Sequence, residues 1–220
     1  MRAHDVLCTG ESAMMSFDTR KRFGCNGKID ILIERVPQNF FANIGADFEL
    51  RRTHVAITTF DECEFIQEIH PPIRLLLFGD GPDTGSLVSL GRLLGWETFR
   101  LSDPNGMEPD DRTAAIVKSH NYRRDFAALQ KLLPLNLRYL GLIGPRKRRD
   151  QLLNDLLDVG IAINAGFFAP AGLDLGAETP EEIALAIISE IQRVFAHGSG
   201  FSLRERKMSI HAAECKIPAR

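Results

Sequence analysis

Apolar residues in the second half of the chain come in short continuous runs. Arg74–Phe78 and Tyr139–Ile143 are runs of the kind found in strands that are covered on both faces of a sheet. Thr98–Leu101 and Ala114–Val117 predict two further strands in the same region. The pattern therefore predicts one sheet with an apolar interior.

Helical patterns separate these strands. They cover residues 83–95, Asp125–Leu133 and Pro145–Asp158, with a final helix that ends near Gly198. The final helix has the clearest start, because Thr179 suits the N-cap, Pro180 the first turn and Glu182 the closing position of a capping box. Strands that alternate with helices form right-handed crossovers. We therefore predict an α/β protein with a Rossmann-like, mostly parallel sheet and helices on both faces.

The first part of the chain has a different pattern. Ile29–Glu34 and His54–Thr59 are short β-rich runs, and the paired prolines after His70 interrupt the pattern. We therefore expect a partial, β-rich N-terminal domain over residues 1–70 and a Rossmann-like domain over 71–198. Residues 199–220 are polar and without pattern, which predicts a mobile C-terminal tail.

Composition narrows the class of protein. The 220 residues are 44% hydrophobic and 25% charged, which allows a packed core, and the net charge of −2 argues against nucleic-acid binding. No apolar run is long enough to span a membrane, and the N-terminus shows no targeting signal. The four cysteines lie far apart, as is typical of free thiols in a reducing compartment. These features predict a cytoplasmic protein.

A glycine-rich turn follows the strand Arg74–Phe78. Gly79 and Gly81 allow a tight turn in which phosphates can approach the start of a helix. The dinucleotide pattern is imperfect, because its third glycine is displaced to Gly85 and two acidic residues interrupt the turn. Asp103 follows the next strand, at the position of a carboxylate that binds a ribose hydroxyl. The turn either binds a nucleotide or a nucleotide-like ligand, or it is an ordinary strand-to-helix turn.

Four cations, Arg146 to Arg149, open the helix after the strand at 139–143. Cations oppose the dipole at a helix N-terminus, and a bound phosphate would turn this conflict into an attraction. Arg146 and Arg148 are therefore candidate anion ligands, and the alternative is a solvated basic face. His120 follows another strand end, where it contacts a ligand or has only a structural hydrogen bond.

Cys25 lies in a turn between two glycines, which leaves its sulfur accessible to a ligand. A small buried thiol beside a hairpin is the alternative. The other three cysteines have no such setting and are interpreted as structural. No hydrolase or kinase motif is present in the sequence.

Several of these segments together resemble the xanthine dehydrogenase accessory proteins of the XdhC/CoxI type. The similar segments are Gly24–Glu34, Leu75–Trp96, Ser119–Asp125, Arg138–Leu153 and Ala169–Ile191. The last two, RYLGLIGPRKRRDQLL and APAGLDLGAETPEEIALAIISEI, are the most specific. Family members usually carry a further N-terminal stretch with a Gly-Gly-Cys element, and we expect this chain to lack that segment.

The resemblance implies a chaperone that binds the molybdenum cofactor (molybdopterin) and delivers it to the apo-enzyme of a molybdenum hydroxylase such as xanthine dehydrogenase. It also implies a cysteine desulfurase as a second partner. The cofactor is an anion that suits the Gly79 turn and the cations from Arg146 to Arg149. A thiolate at Cys25 would be a soft group suited to molybdenum or to persulfide chemistry. An exposed sheet edge in a shortened N-terminal domain predicts a homodimer.

Two other functions remain open from the sequence. An NAD(P)-dependent oxidoreductase would use Asp103 for the ribose and His120 as an acid or base. A degenerate relative would keep the fold and bind no ligand. We expect neither nucleic acid nor a membrane as a partner, and a maturation factor would not itself be an enzyme.

Overall fold

The computed structural model describes residues 2–18, 27–60, 63–106 and 108–206. These residues form two compact units, the first ending at Pro71 and the second beginning at Pro72.

The first unit contains two helices and two β-hairpins. Its elements are α1 (Arg2–Thr9), β1 (Ala13–Asp18), β2 (Lys28–Ile33), α2 (Phe40–Glu49), β3 (His54–Phe60) and β4 (Cys63–Ile69). β1 pairs with β2 and β3 pairs with β4, both antiparallel. The predicted β-rich character is confirmed, and the strands predicted at 29–34 and 54–59 are β2 and β3. The sequence analysis did not predict α1, α2, β1 or β4.

Side chains of β3 alternate between half-buried and exposed positions, as expected of a strand with only one face covered. Val55 and Ile57 lie on the exposed face. Helix α2 has no fully buried residue. The weak burial explains why the periodic signal in this unit is weak.

The second unit is built on a five-stranded parallel sheet, which confirms the predicted Rossmann-like fold. Its elements are β5 (Arg74–Phe78), α3 (Thr84–Leu93), β6 (Glu97–Leu101), β7 (Thr113–Val117), α4 (Tyr122–Leu132), β8 (Tyr139–Leu142), α5 (Arg146–Asp158), β9 (Phe167–Phe168) and α6 (Pro180–Phe195). The strand order is β6–β5–β7–β8–β9, with every neighbouring pair parallel.

The sheet is covered on both faces. Leu75 and Leu77 of β5 pack into one core cluster with residues of α3 and α6. Leu76 and Phe78 of the same strand pack into a second cluster with residues of α4 and α5. Because successive strand side chains point to opposite faces, a strand buried on both sides must be apolar throughout. The continuous apolar run at Arg74–Phe78 has this cause.

The predicted starts of two helices, α6 and α4, can be compared with the observed ones. The capping box of α6 is present: Thr179 Oγ1 accepts from Glu182 N at 3.3 Å, and Glu182 Oε2 accepts from Thr179 N at 2.9 Å. The predicted start of α4 at Asp125 was wrong by three residues. Asn121 is its N-cap, and its Oδ1 accepts from Arg124 N at 3.1 Å. The first turn of α4 is polar, so apolar periodicity did not reveal it.

Of the predicted tail, residues 199–206 fall within the described part and include a 3₁₀ turn at Leu203–Glu205. The mobility of the tail stays a prediction. Among the described residues, no helix is both long and apolar enough to cross a membrane.

Candidate functional site

The order of the strands places a topological switch point between β5 and β7. The chain passes from β5 to β6 on one side and then returns to form β7 on the other side. In open α/β sheets, ligands bind at the carboxyl ends of the strands where the order reverses. The two segments that follow β5 and β7 therefore frame the candidate site.

These two segments are in direct backbone contact. Lys118 N donates to Phe78 O at 2.9 Å, which extends the pairing of β5 with β7 by one residue. A Cβ atom on Gly79 would lie only 2.5 Å from Ser119 Cα, and Gly79 has a φ of +101°. Both the space and the backbone conformation therefore require glycine at this position.

A cleft of about 800 Å³ opens at this edge of the sheet. The ends of β5, β6 and β7 and one side of α4 line it. Gly79 and Asp103, two of the predicted site residues, both lie in its wall. The structure thus places the glycine-rich turn and the carboxylate of Asp103 in the wall of the same cleft.

Two guanidinium groups in the cleft wall have no partner among the described residues. Lys131 Nζ pairs with Asp103 Oδ2 at 3.3 Å, so these two charges offset each other. Arg100 and Arg124 are exposed in the cleft wall, and their guanidinium groups have no hydrogen bond or ion pair with the described residues. Asp80 is the opposing exposed carboxylate. Among the described residues, the wall therefore offers two unpaired positive charges against one negative charge, which favours an anionic ligand.

Asp125 is a fully buried carboxylate at the edge of the same cleft. Its Oδ1 accepts from Ser119 N at 2.9 Å and from Ser119 Oγ at 2.5 Å. Its Oδ2 accepts from Arg148 Nη2. Asp125 therefore joins the end of β7 to the start of α5.

The four cations at the start of α5 divide into two kinds. Arg148 pairs with Asp125, and Arg149 donates to Ala169 O at 3.0 Å and pairs with Asp150. Arg146 and Lys147 are exposed, without a hydrogen bond or ion pair to the described residues. Neither Arg146 nor Arg148 lines the cleft. Their role as anion ligands stays a prediction.

A second buried ion pair lies beneath the glycine-rich turn. Lys118 Nζ lies 2.5 Å from Asp83 Oδ1, with side-chain exposures of 0% and 8%. Burial lowers the pKa of Lys118, although the carboxylates of Asp83 and Asp80 partly offset this effect. The other oxygen, Asp83 Oδ2, is buried and has no hydrogen-bond partner among the described residues.

His120 and Gly81 lie next to this pair. A Cβ atom on Gly81 would lie 3.2 Å from His120 Nε2 and 3.4 Å from Lys118 Cε. His120 is exposed and has a φ of +54°, a left-handed conformation that is uncommon for residues other than glycine. Such conformations concentrate at functional sites. The structure therefore brings these two predicted residues together, although neither lines the cleft.

Lys118 and the structural roles of Asp83 and Asp125 were not predicted from the sequence. A lysine directly after the fully buried run Thr113–Val117 was a usable signal, because a charge there must find a buried partner. Cys25, predicted as a cofactor and metal ligand, lies outside the described residues. Within the described part of the chain, no group of three or more His, Cys, Asp or Glu side chains could hold a metal ion.

A parallel sheet of this strand order, with helices on both faces and a cleft at its switch point, defines a Rossmann-type domain. The model of the XdhC Rossmann domain matches residues 75–191. The chain belongs to the XdhC family.

Two curated relatives are similar to parts of this chain. A protein of Bacillus subtilis (strain 168), named as a probable xanthine dehydrogenase subunit, is 34% identical over 151 residues, covering 58% of this chain and 44% of the relative. "Uncharacterized protein YqeB" of Escherichia coli (strain K12) is 34% identical over 152 residues, covering 58% of this chain and 28% of the relative. The chain therefore matches less than half the length of each relative.

A solved structure is similar over most of the chain. The crystal structure of a protein described as a xanthine dehydrogenase from Bacillus halodurans aligns with a TM-score of 0.72 and 19% identity, covering 94% of this chain and 81% of that chain. At this level of identity the likeness establishes a shared fold.

Proposed function

We propose that this chain is an accessory protein that binds the molybdenum cofactor and passes it to a molybdenum hydroxylase of the xanthine dehydrogenase type. The observation that carries the proposal is the cleft at the switch point, whose wall presents the guanidinium groups of Arg100 and Arg124, unpaired among the described residues. Guanidinium groups bind phosphate with two parallel hydrogen bonds, and the pterin of this cofactor carries a phosphate.

The residues present fit such a ligand in charge and in space. The volume of about 800 Å³ lies within the range of pockets that hold cofactor-sized molecules. Gly79 lies in the wall of the cleft at the end of β5, where its missing side chain makes room for the backbone of Ser119. When bound, the cofactor would supply the molybdenum centre of the client enzyme. The residues of this chain would bind its phosphate, orient the pterin and shield it from water.

The proposed partner rests on family membership and on the name of the Bacillus subtilis relative, which is that of a component of xanthine dehydrogenase. A cysteine desulfurase is the second proposed partner, because a sulfide-requiring hydroxylase needs a sulfur donor. A homodimer belongs to the same proposal. A protein that binds and transfers a cofactor needs a selective site and requires no catalytic residue of its own.

The test is anaerobic retention of the cofactor. Cofactor released from a purified molybdenum enzyme is mixed with this protein, and the bound fraction after gel filtration is measured by the fluorescence of the oxidised pterin. Arg100→Ser/Arg124→Ser should bind at least about tenfold more weakly, because hydrogen bonds to charged groups contribute about 1.5–3 kcal/mol each. Arg92→Ser/Arg123→Ser is the matched control, because both arginines are exposed and neither lines the cleft.

The outcomes separate the proposed function from its competitors. Retention by the wild type and the control, and its loss in the cleft variant, supports the proposal, as does activation of an apo-hydroxylase by the loaded protein. Saturable binding of NAD(P) with turnover would instead identify an oxidoreductase that uses Asp103 and His120. A folded protein that retains neither ligand would be a family member without ligand binding.

A further inference from the structure

The glycine-rich turn at residues 79–83 is attached at its two ends to residues 118–119, which directly follow β7. At Gly79 the attachment is through backbone contact with Lys118 and Ser119. At Asp83 it is the ion pair with Lys118. Among the described residues, this pair is the only side-chain hydrogen bond or ion pair between the turn and β7 or the segment that follows it.

Gly81, in the middle of the turn, packs against the ion pair of Lys118 and Asp83. A Cβ atom on Gly81 would lie 3.0 Å from Asp83 Oδ1 and 3.4 Å from Lys118 Cε, so the turn passes directly over both charged side chains. Gly81 N also donates to Thr84 Oγ1 at 3.0 Å, and Thr84 N donates to Gly81 O at 3.1 Å. These two bonds close the turn on itself but do not attach it to the sheet.

The ion pair is costly to keep inside the protein. Two buried charges lose their hydration, and here the loss is only partly offset, because Asp83 Oδ2 has no hydrogen-bond partner among the described residues. Lys118 Nζ is also buried without a hydrogen-bond partner among the described residues, so it meets Asp83 Oδ1 as an ion pair only. Asp83 is the N-cap residue of α3, yet its side chain makes no capping hydrogen bond. The pair is therefore not explained by helix capping or by a complete hydrogen-bond network.

We propose that Lys118 is a positioning residue of the cofactor site, and that its ion pair with Asp83 holds the turn over residues 79–83 in its ligand-binding shape. This inference rests on the proposed function, because the turn supplies Gly79 and Asp80 to the wall of the cleft. Lys118 is fully buried and does not line the cleft. It acts through the turn.

The test replaces both charges at once. Removing one partner would leave an uncompensated buried charge and risk unfolding, whereas replacing a buried pair with apolar residues of similar size is often neutral for stability. In Lys118→Met/Asp83→Leu, we expect the sheet to fold and hydrogen exchange at the amides of residues 79–81 and 83 to accelerate at least about tenfold. Affinity for the molybdenum cofactor should fall by a similar factor, because the turn is no longer preorganised.

Arg204→Met/Glu205→Leu is the matched control, because it replaces an exposed ion pair outside the turn and the cleft. Exchange at the β5 and β7 amides reports whether each variant is folded. A folded Lys118→Met/Asp83→Leu variant with wild-type exchange in the turn would overturn the inference, even if no cofactor bound to any form. Faster exchange with unchanged cofactor affinity would also overturn it. Failure of the wild type to bind the cofactor would contradict the proposed function and leave the exchange result as a separate test of the turn.

Discussion

Two buried carboxylates lie at the same edge of the sheet, and they differ in how completely they are hydrogen-bonded. Asp125, next to the β7 end, accepts from the backbone and hydroxyl of Ser119 and from Arg148. Asp83, under the glycine-rich turn, has one ion pair with Lys118 and one oxygen without a hydrogen-bond partner among the described residues.

The two carboxylates therefore contribute differently to the protein. Both oxygens of Asp125 accept hydrogen bonds, which holds this carboxylate rigidly between two elements, so Asp125 serves the fold, although Arg148 Nε has no hydrogen-bond partner among the described residues. A buried pair that is only partly satisfied contributes little to stability, and its retention needs another reason. For Asp83 and Lys118, the proposed reason is the shape of the turn beside the cleft.

The largest expected effect is that of Asp125→Ala. This change leaves Arg148 Nη2 and Ser119 N without their acceptor, and should lower the free energy of unfolding by about 3–5 kcal/mol. Urea denaturation followed by circular dichroism measures it. Asp158→Ala is the control, because Asp158 is exposed at the end of α5, and it should change stability by less than about 0.5 kcal/mol. Equal stability of the two variants would refute the role assigned to Asp125.

The next largest effect is a difference in stability between a single substitution at Asp83 and a double substitution of Asp83 and Lys118. Asp83→Ala leaves the buried Lys118 without its counter-ion, and we expect a loss of about 3 kcal/mol. Lys118→Met/Asp83→Leu should recover most of that loss, because no charge remains to be desolvated. Denaturant titration of both variants provides the comparison. A double variant as unstable as the single one would mean that the pair supports the fold in the way Asp125 does.

Glu190 is another buried carboxylate, and it accepts its hydrogen bonds from uncharged donors. Its Oε2 accepts from Tyr139 OH and from Gly172 N, both at 2.8 Å. Tyr139→Phe removes one of these donors and should cost about 1–3 kcal/mol. Denaturation at neutral pH measures the cost, with Phe126→Leu as a control for a volume change at a half-buried aromatic residue. No loss in Tyr139→Phe would show that a single neutral donor is enough for Glu190.

The smallest effect is a dependence of stability on alkaline pH. Burial and the hydrogen bond to Asp155 raise the pKa of Tyr122 to about 12, above the value of 10.0 for an unperturbed tyrosine. The folded protein therefore holds this proton more tightly, so its stabilisation is complete below pH 10 and is lost as the pH rises from 10 toward 12. Tyr122→Phe should show a shallower decline in the free energy of unfolding over this range. An identical decline in both proteins would contradict the assignment.

Prediction from the sequence succeeded where a strand is buried on both faces of the sheet, because such a strand is a continuous apolar run. β5 was predicted at its observed bounds, because every position after Arg74 in that strand is buried and apolar. The capping box at Thr179 located the start of α6, because its signal is local and chemical. β9 was missed because two residues carry no period, and α2 was missed because it has no fully buried face.

The candidate site was predicted only in part for the same reason. Strand ends are readable from sequence, so Gly79 and Asp103 were expected at one edge of the sheet, and both line the cleft. Ion pairs depend on tertiary contacts that no spacing reveals. Arg148 therefore looked like a free ligand cation, although its partner Asp125 lies 23 positions earlier in the chain.

The decisive measurement is hydrogen exchange of the wild-type protein with and without bound molybdenum cofactor. On binding, we expect slower exchange at the four segments that line the cleft, residues 78–80, 100–104, 117–119 and 124–131. Slower exchange confined to segments outside the cleft, with these four unchanged, would rule out a cofactor site at the switch point of the sheet.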